Sequence, residues 1–357
     1  MSLALQKKRY LQKSKSGFII LVLTSVMLTL TFSAALVLFQ GTFSEYRSAE
    51  LEAGHMKARM LAQSGMEAAI MILTRVPADQ LASVGFFIVP LSIPLGEGIV
   101  SIQISEESGK LNVNRLVRFI DNTMDPRVRE MFDSLSTTLG LPADIWDPVV
   151  DYIDEDNIAQ PRGFEQADYS RLTPPRRIKN GRLHSLEELL LIPGFDRSTI
   201  FEDIRSEKRK EDVSEDFLSD LEKLTISDDD FILANNITVY LPTDPMNPDS
   251  DRINVNTAPY HVMLSLSPYM TPDAARAIIR ARFQKGGRFT SLNELASIPA
   301  LSINTVGSAT LYQEIESRIT VNDQLYKIVA EASTDLHLAH VTSIYDMVSR
   351  KITLYLE

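Results

Sequence analysis

The chain contains no cysteine among its 357 residues. That absence excludes disulfide bonds, thiolate zinc sites, iron–sulfur clusters and cysteine nucleophiles. Basic residues are in the minority, because 36 Lys and Arg stand against 47 Asp and Glu and give a formal net charge of -11. A general nucleic-acid-binding protein carries the opposite balance of charge, so the composition argues against that class.

The sequence motifs of common active sites are also missing. The chain has no G-x-S-x-G elbow, P-loop, G-x-G-x-x-G or H-E-x-x-H. Among the five histidines only His337 and His340 are close in sequence, and we expect them on a surface loop rather than on zinc. The sequence therefore predicts a protein that is not an enzyme and that requires no cofactor.

Charge is absent from one long stretch near the N-terminus. No acid occurs before Glu45, and no charged residue of either sign occurs from Phe18 to Phe39. As a helix this stretch would span about 33 Å, close to the roughly 30 Å hydrocarbon core of a membrane. Five basic residues lie between Lys7 and Lys15, which by the positive-inside rule places the N-terminus in the cytoplasm. We predict a single membrane span, with a buried core helix as the alternative.

Helical periodicity continues beyond the predicted span. Ala49, Ala53, Met56 and Met60 keep a spacing of three or four residues, and no proline occurs before Pro77. The pattern predicts one helix from Phe18 to Leu73. Its first half is apolar, and its second half is amphipathic.

The N-terminal residues resemble the leader of the type IV pilin class. A basic segment ends in KSKSGF and leads directly into the long apolar helix. In that class a prepilin peptidase cuts after the glycine and methylates the new N-terminus. The resemblance implies cleavage between Gly17 and Phe18, with an uncleaved signal anchor as the alternative. The class also has a glutamate at the fifth mature position, where this chain has Val22.

Two pairs of segments farther along the chain echo each other. Residues 108–114 read SGKLNVN and residues 250–256 read SDRINVN. Residues 185–194 read SLEELLLIPG and residues 291–300 read SLNELASIPA. Two paired matches in the same order indicate a duplicated supersecondary unit.

The second pair of segments has the pattern of short capped helices. Ser185 and Ser291 are followed three residues later by Glu188 and Glu294, which predicts a capping box at each helix. Thr271 before Pro272 reads as the N-cap of another helix, extending through Arg282.

The frame RINVNTAP…GGRFTSLNELASIPALS resembles the helix-hairpin-helix modules of competence-type DNA receptors. Such hairpins need glycines so that backbone N–H groups can reach phosphate oxygens. The turns here read SPYMTP, IPGFD and IPALS, with only Gly194 of the expected set. Between Asp144 and Asp168 eight acids stand against Arg162 alone. A membrane-anchored DNA-binding protein is therefore the alternative function, and we expect no nucleic-acid partner.

The order of motifs along the whole chain points to a second resemblance. ESGKLNVN, DYIDEDN, KNGRLHSLEELLLIPG, RINVNTAP and a terminal β segment follow one another. This order resembles the K-type minor pseudopilins of type II secretion systems. The resemblance implies a structural protein at the pseudopilus tip that supports protein export across the outer membrane. It further implies a bacterial inner-membrane location with most of the chain in the periplasm. The implied partners are the I- and J-type minor pseudopilins, the prepilin peptidase and the inner-membrane secretion platform.

Alternating residues at both ends of the chain predict one sheet. Residues 98–104 and 325–332 alternate as half-buried strands, and residues 343–349 and 351–356 read as a closing hairpin. The predicted fold class is α+β, with a pilin-like long N-terminal helix packed on a small antiparallel sheet. A large inserted α-helical domain contains a duplicated helix-hairpin-helix or SAM-like module.

The predicted domain limits follow from these assignments. They are a leader at 1–17, a transmembrane part at 18–40, an amphipathic helix with the first strands at 41–114, an inserted domain at 115–316 and closing strands at 317–357. Within the inserted domain the two modules cover about 115–205 and 250–316. The charged stretch 205–216 is expected to be a solvated loop or helix end.

An acidic run is the candidate ligand set. Asp147, Asp151 and Asp154 would share one face of a helix, and Glu155 and Asp156 follow. Clustered carboxylates repel one another unless a cation compensates, and oxygen ligands suit Ca²⁺. The resemblance implies calcium as well, because K-type relatives bind it. We predict a Ca²⁺ site at Asp147, Asp151, Asp154 and Asp156, with a solvated acidic face as the alternative.

Val22 predicts a position in the filament. In the pilin class the fifth-residue glutamate neutralises the terminal ammonium of an adjacent subunit. An unpaired carboxylate in an apolar environment costs at least ~2.5 kcal/mol on insertion scales. A subunit with no neighbour above it has no ammonium to meet, so Val22 predicts the tip.

Overall fold

The computed structural model describes residues 2–87, 89–118, 120–204, 228–244, 251–305, 309–334 and 336–357, with side chains from Gly17 onward except Asp228. The predicted charged stretch at 205–216 lies outside these residues. A single helix, α1, runs over 74 residues from Ser2 to Arg75. The predicted helix is therefore confirmed, and the leader continues it toward the N-terminus. At about 1.5 Å per residue α1 is about 110 Å long.

In the described residues the strands are, in chain order, β1 (Leu91–Leu95), β2 (Gly98–Glu106), β3 (Leu111–Asn112), β4 (Ile237–Thr238), β5 (Ile253–Asn254), β6 (Ile319–Thr320), β7 (Leu325–Ser333), β8 (Leu338–Asp346) and β9 (Lys351–Leu356). Strands β1, β2, β7, β8 and β9 form one five-stranded antiparallel sheet in that spatial order. The predicted strands and closing hairpin are confirmed, with β8 beginning at Leu338 and ending at Asp346. Strand β1 was not predicted because Pro94 lies within it, and an edge strand is where a sheet tolerates proline.

The second half of α1 packs on the sheet through small residues. Ala58, Ala62 and Ala69 are fully buried at helical spacing and bring the two backbones close together. Gly65 extends this small-residue face, since a Cβ there would lie 2.4 Å from Val100 Cγ1. The core of this unit is completed by β2, β7 and β8, and in β2 and β7 buried side chains alternate with more exposed ones.

Between β2 and β7 most of the regular secondary structure is helical. The helices described after α1 are α2 (Ala78–Ser83), α3 (Pro126–Leu139), α4 (Asp147–Ile153), α5 (Gln166–Tyr169), α6 (Arg197–Phe201), α7 (Leu233–Asn236), α8 (Tyr260–Ser265), α9 (Pro272–Gln284), α10 (Asn293–Ala296) and α11 (Leu311–Ile315), with 3₁₀ helices at Val113–Arg115, Leu186–Leu191, Asp228–Phe231, Pro299–Leu301 and Glu316–Arg318. The predicted α+β fold, with a long N-terminal helix, an antiparallel sheet and further helices, is confirmed. The domain limits stay a prediction.

The helical region has a core of its own. Trp146, the single tryptophan, is fully buried against Phe132, with ring centroids 4.6 Å apart. Its Nε1–H donates to Phe132 O at 3.1 Å and to Ser136 Oγ at 2.7 Å. The same cluster continues through α8 and α9 without interruption, so the helical region packs as one body.

Two short parallel ladders lie inside the helical region and were not predicted. Strand β3 pairs with β4, and β5 pairs with β6. Each ladder is two residues long and joins segments far apart in sequence, so alternation cannot reveal it. The ladders bring the two Asn-Val-Asn motifs into matching positions.

The predicted capping boxes are wrong by one residue. Glu188 Oε1 accepts from the backbone N–H of His184 at 2.7 Å, and Glu294 Oε1 accepts from that of Thr290 at 3.0 Å. Each glutamate therefore reaches past Ser185 or Ser291 to the residue before it. The N-cap at Thr271 is confirmed, since its Oγ1 accepts from Ala274 N–H at 3.2 Å.

Candidate functional site

The first half of α1 fits a single-pass membrane anchor. From Phe18 to Phe39 no side chain packs against the rest of the described chain, and the apolar side chains stay exposed. Thr and Ser hydroxyls bond back to carbonyls in the same helix, as Thr24 does to Leu21 O at 3.0 Å and Thr31 to Met27 O at 2.9 Å. These bonds satisfy polar groups where lipid offers no partner.

The predicted processing residues lie inside this continuous helix. A Cβ on Gly17 would meet no atom within 4 Å, so the helix itself does not demand glycine there. Val22 is 42% exposed on the same helix, one turn beyond Phe18. Cleavage between Gly17 and Phe18 stays a prediction.

Two of the four predicted calcium ligands hold a loop in place. Asp147, at the start of α4, pairs with Arg129 at 2.7 Å and accepts from Arg162 N–H at 3.1 Å. Asp151, one turn later, accepts from Gln160 N–H at 3.0 Å. A Cβ on Gly163 would lie 1.7 Å from Asp151 Oδ2, so the loop needs a glycine there to come this close. Backbone donors thus occupy part of both carboxylates.

The other two predicted ligands meet a third acid that the sequence did not single out. Oxygens of Asp154, Asp156 and Glu165 all lie within 4.8 Å of one another. Asp154 is 3% exposed and Glu165 is 7% exposed. Asp154 Oδ1 and both Glu165 carboxylate oxygens are buried without a hydrogen-bond partner in the part of the chain that the structure describes. Three carboxylates with unused oxygens suit a hard cation.

The electrostatics of this acidic group agree with its geometry. Burial, followed by the charges of Asp156, Asp151 and Glu165, raises the pKa of Asp154 to about 7. Burial also raises the pKa of Asp151 to about 6 and that of Glu165 above its ordinary value. The raised values express the cost of placing like charges together in a poorly hydrated site.

The two Asn-Val-Asn motifs make the same contacts. Asn114 Nδ2 donates to Leu183 O at 2.8 Å and Val239 O at 2.7 Å, and its Oδ1 accepts from Leu183 N–H at 2.8 Å. Asn256 Nδ2 donates to Phe289 O and Val321 O at 3.0 Å each, and its Oδ1 accepts from Phe289 N–H at 2.7 Å. One buried carboxamide therefore joins a loop to the residue that follows β4 in the first motif, and to the residue that follows β6 in the second.

Three arginines in or next to the second module (about 250–316) contact groups within the chain. Arg282 donates to Val255 O at 3.0 Å and Ala258 O at 3.1 Å, and Arg288 pairs with Asp323 at 2.5 Å. Arg318 pairs with Glu130 at 3.2 Å. These internal partners compete with phosphate for the same donors, which weighs against the DNA-binding alternative.

The two neighbouring histidines lie apart from the acidic group. His340 is in β8, and His337 precedes that strand in the turn after β7. The ring of His337 contacts that of His55 on α1, with centroids 4.4 Å apart. Its Nε2 packs against Gly54, where a Cβ would lie 2.1 Å away.

Comparisons with known proteins bear on the whole arrangement. Two family models, both described as type II secretion system protein K, match residues 109–202 and 253–312. A search among curated proteins finds no match. Among solved structures, the chain is similar to a chain of the GspK-GspI-GspJ complex of the enterotoxigenic Escherichia coli type 2 secretion system. That similarity has a TM-score of 0.59 at 15% identity and covers 87% of this chain and 98% of the other. The resemblance to the K-type family is confirmed.

Proposed function

We propose, from this resemblance to type II secretion system protein K, that the chain is a minor pseudopilin that supports protein export across the outer membrane. The observation that carries the proposal is that the two halves of α1 have different surroundings. Its first half leaves an apolar surface exposed from Phe18 to Phe39, and its second half forms the core of the sheet. A helix of this kind anchors the chain in the inner membrane and presents the sheet and helical region to the periplasm. The role is structural rather than catalytic.

The helical region and Val22 support a position at the pseudopilus tip. The helical region is inserted between β2 and β7, two strands that pack on the second half of α1. A helical region of this size would obstruct a subunit stacked directly above this one. Val22 carries no charge to neutralise the terminal ammonium of such a neighbour, and an unpaired carboxylate at this depth would be costly.

Copy number and location test the tip position. We expect about one copy per sheared pseudopilus, labelled at one end by immunogold. The variant Val22→Glu should keep or weaken tip initiation without becoming a repeating shaft subunit. Val26→Glu, four residues along the same helix, is the matched control for the cost of a charge in the membrane. Label distributed along the shaft would contradict the tip position.

The proposed partners are the I- and J-type minor pseudopilins, the prepilin peptidase and the inner-membrane platform. Support for the first two comes from the similarity to a chain of a complex whose name contains GspI and GspJ. An exposed helix from Phe18 to Phe39 offers a surface for parallel helices anchored in the same membrane. Co-purification of the full chain with candidate partners, compared with a variant carrying polar substitutions at Leu30 and Val37, tests this assembly.

We also propose that Asp154, Asp156 and Glu165 hold Ca²⁺, with Asp151 as a neighbour that tightens the loop. The buried, unpartnered oxygens of Asp154 and Glu165 support this site. Calcium would stabilise the loop after α4 rather than take part in a reaction. Asp147 contributes indirectly, through Arg129 and the backbone of Arg162.

The shared contacts of Asn114 and Asn256 support a duplicated unit, as the sequence echo predicts. Each copy consists of a two-residue parallel ladder, an anchoring asparagine and a clipped loop. DNA binding stays the alternative reading of this unit. A gel-shift titration of the full chain in detergent against duplex DNA decides it, because sub-micromolar binding with a steep salt dependence would favour a receptor.

A further inference from the structure

A buried group of polar contacts around Glu106 attaches the helical region to the sheet. The chain leaves the sheet at Glu106, the last residue of β2, and returns at Leu325, the first residue of β7. Glu106 is 7% exposed. Its Oε1 accepts from Gln324 N–H at 3.3 Å, while Oε2 accepts from Gly109 N–H at 3.1 Å and from Thr257 Oγ1–H at 2.5 Å. The carboxyl group of Glu106 thus contacts the turn after β2, the residue before β7 and the residue after the second Asn-Val-Asn motif.

The segments around Glu106 are closely packed. A Cβ on Gly109 would lie 2.5 Å from Thr257 Oγ1 and 2.7 Å from Ala258 N. Ser108 O accepts from Asn254 N–H at 2.9 Å, and Ser108 Oγ accepts from Leu325 N–H at 3.2 Å. A change in the charge of Glu106 therefore acts on the turn after β2, on the segment before β7 and on Thr257.

The charged groups near Glu106 do not neutralise it. Asp323, on the returning segment, faces it and pairs with Arg288, which approaches from the loop after α9. Tyr326 on β7 donates its hydroxyl to Asp323 Oδ2 at 2.6 Å. On the outgoing side Glu107 pairs with Lys110 at 2.9 Å. Within the described ranges no ion pair involves Glu106, so its ionised form remains buried beside a second carboxylate.

We propose that Glu106 is a proton-dependent latch, which fastens the helical region to the sheet when protonated and loosens that attachment when ionised. Opening the attachment hydrates the carboxylate and moves it away from Asp323, so ionisation favours the open form. The latch goes beyond the secretion role and does not depend on it.

The direction of the pH effect follows from the site. Burial, and then the charge of Asp323, raises the pKa of Glu106 from 4.5 to about 7, and these two causes outweigh the hydrogen bonds from Ser108, Thr257 and Gln324, which lower it. Because the attached form has the higher pKa, its extra stability is complete below about pH 4.5 and is lost as the pH rises through about 7. With these two values the equilibrium constant for opening increases about tenfold between pH 6 and pH 8.

A second contact between the two parts provides the control. Asp346 at the end of β8 accepts from Thr243 N–H at 2.8 Å. Burial opposes its ionisation, but hydrogen bonds from Thr243 and Ser349 outweigh burial and lower the pKa of Asp346. Asp346 therefore stays ionised throughout the range in which Glu106 titrates.

Hydrogen exchange of the full-length chain in detergent tests the latch. The measured quantity is the opening constant of the amides of Gly109, Asn254 and Gln324 between pH 5.5 and pH 8.5, corrected for intrinsic exchange. We expect the opening constant to rise about tenfold from pH 6 to pH 8 in the native chain. Glu106→Gln, which keeps an acceptor oxygen, should remove this slope. Asp346→Asn should raise opening at every pH and keep the slope.

Two results would overturn the latch. One is an opening constant in the native chain that does not change between pH 6 and pH 8. The other is an unchanged slope in Glu106→Gln. If Glu106→Gln does not fold, Asp323→Asn takes its place, because losing the opposing carboxylate must move the midpoint to lower pH. A midpoint that stays in place there contradicts the latch. None of these outcomes bears on secretion, which is measured separately.

Discussion

Replacing Asp154 by asparagine should make the calcium-free chain more stable at neutral pH. Asparagine has nearly the shape of aspartate but carries no charge, so the change removes repulsion from Asp151, Asp156 and Glu165 without opening a cavity. The backbone bond from residue 154 N–H to Val150 O, which ends α4, is retained. If Asp154→Asn is more stable than the native chain, the Asp154 carboxylate destabilises the fold by repulsion. If the carboxylate only held the structure in place, the variant would be less stable.

The size of the gain follows from the pKa of Asp154, which rises from 3.8 to about 7. A shift of about three units corresponds to about 4 kcal/mol at most, at 1.36 kcal/mol per unit. Because the folded-state pKa is raised, the neutral form's contribution is full below about pH 3.8 and is lost as the pH rises through about 7. At pH 7.5 with a chelator we therefore expect Asp154→Asn to gain about 2–4 kcal/mol over the native chain.

Calcium should reverse this order. An ion at one hundred times its Kd stabilises the folded chain by about 2.7 kcal/mol, and only the native chain keeps the ligand set. The native chain should therefore show a higher unfolding midpoint with calcium than with chelator at pH 7.5. The response should be much smaller at pH 5.5, where protons occupy Asp154. Asp154→Asn should respond weakly at both pH values.

Trp146 makes the measurement specific to the helical region. It is the single tryptophan, it is fully buried, and it directly precedes α4. Its fluorescence, excited at 295 nm, reports unfolding around the acidic group within the full-length protein in detergent. Glu155→Gln is the matched control, because it removes one exposed negative charge beside the group and should keep the native calcium response.

Two outcomes would refute this reasoning. If Asp154→Asn lost stability in chelator at pH 7.5, its carboxylate would be stabilising, and the cluster would not be a site of repulsion. If the native midpoint were the same in chelator and in millimolar calcium, the three acids would form a solvated face without an ion.

Two further predictions concern the duplicated contacts and the leader. Asn114→Ala and Asn256→Ala each leave three backbone groups without their partner. At the lower end of the range of about 1–3 kcal/mol per buried group, each variant should cost roughly 3–5 kcal/mol in denaturant unfolding. Asn112→Ala, which loses a bond to Tyr240 O and one to Asn114 N–H, should cost less, and equal losses would contradict the anchoring role. By mass spectrometry, the membrane-purified protein should begin at Phe18, with the N-terminal methylation that the class resemblance implies. A chain that still begins at Met1 in cells with active peptidase would contradict processing.

The elements that sequence predicts here are those whose signal is local. The helix α1 follows from an uncharged apolar run without proline, and β2 and β7 follow from strict alternation. Strand β1 breaks that rule at Pro94. The ladder β3–β4 joins residues more than one hundred positions apart, so no window of sequence contains both partners.

The sequence predicts only part of the acidic group, because local spacing does not show that Glu165 joins Asp154 and Asp156. Asp154 and Asp156 are two residues apart in a charged run, whereas Glu165 reaches them only after a loop returns. Asp147 and Asp151 produce that return by accepting backbone N–H groups of residues 160 and 162. Spacing on an ideal helix indicates that Asp147 and Asp151 share a face with Asp154, but it cannot show that backbone donors already occupy them.

The absence of cysteine and the excess of acids have a common consequence for this fold. Without disulfides, the loops are held by side chains that bond to backbone groups, as Asn114, Asn256, Asp151 and Asp346 do. A carboxamide bond is insensitive to pH, whereas a buried carboxyl responds to protons or cations. The asparagines lie inside the helical region, while Glu106 lies where that region joins the sheet. The asparagine contacts therefore fix the shape of the helical region, and Glu106 controls how firmly that region is attached to the sheet.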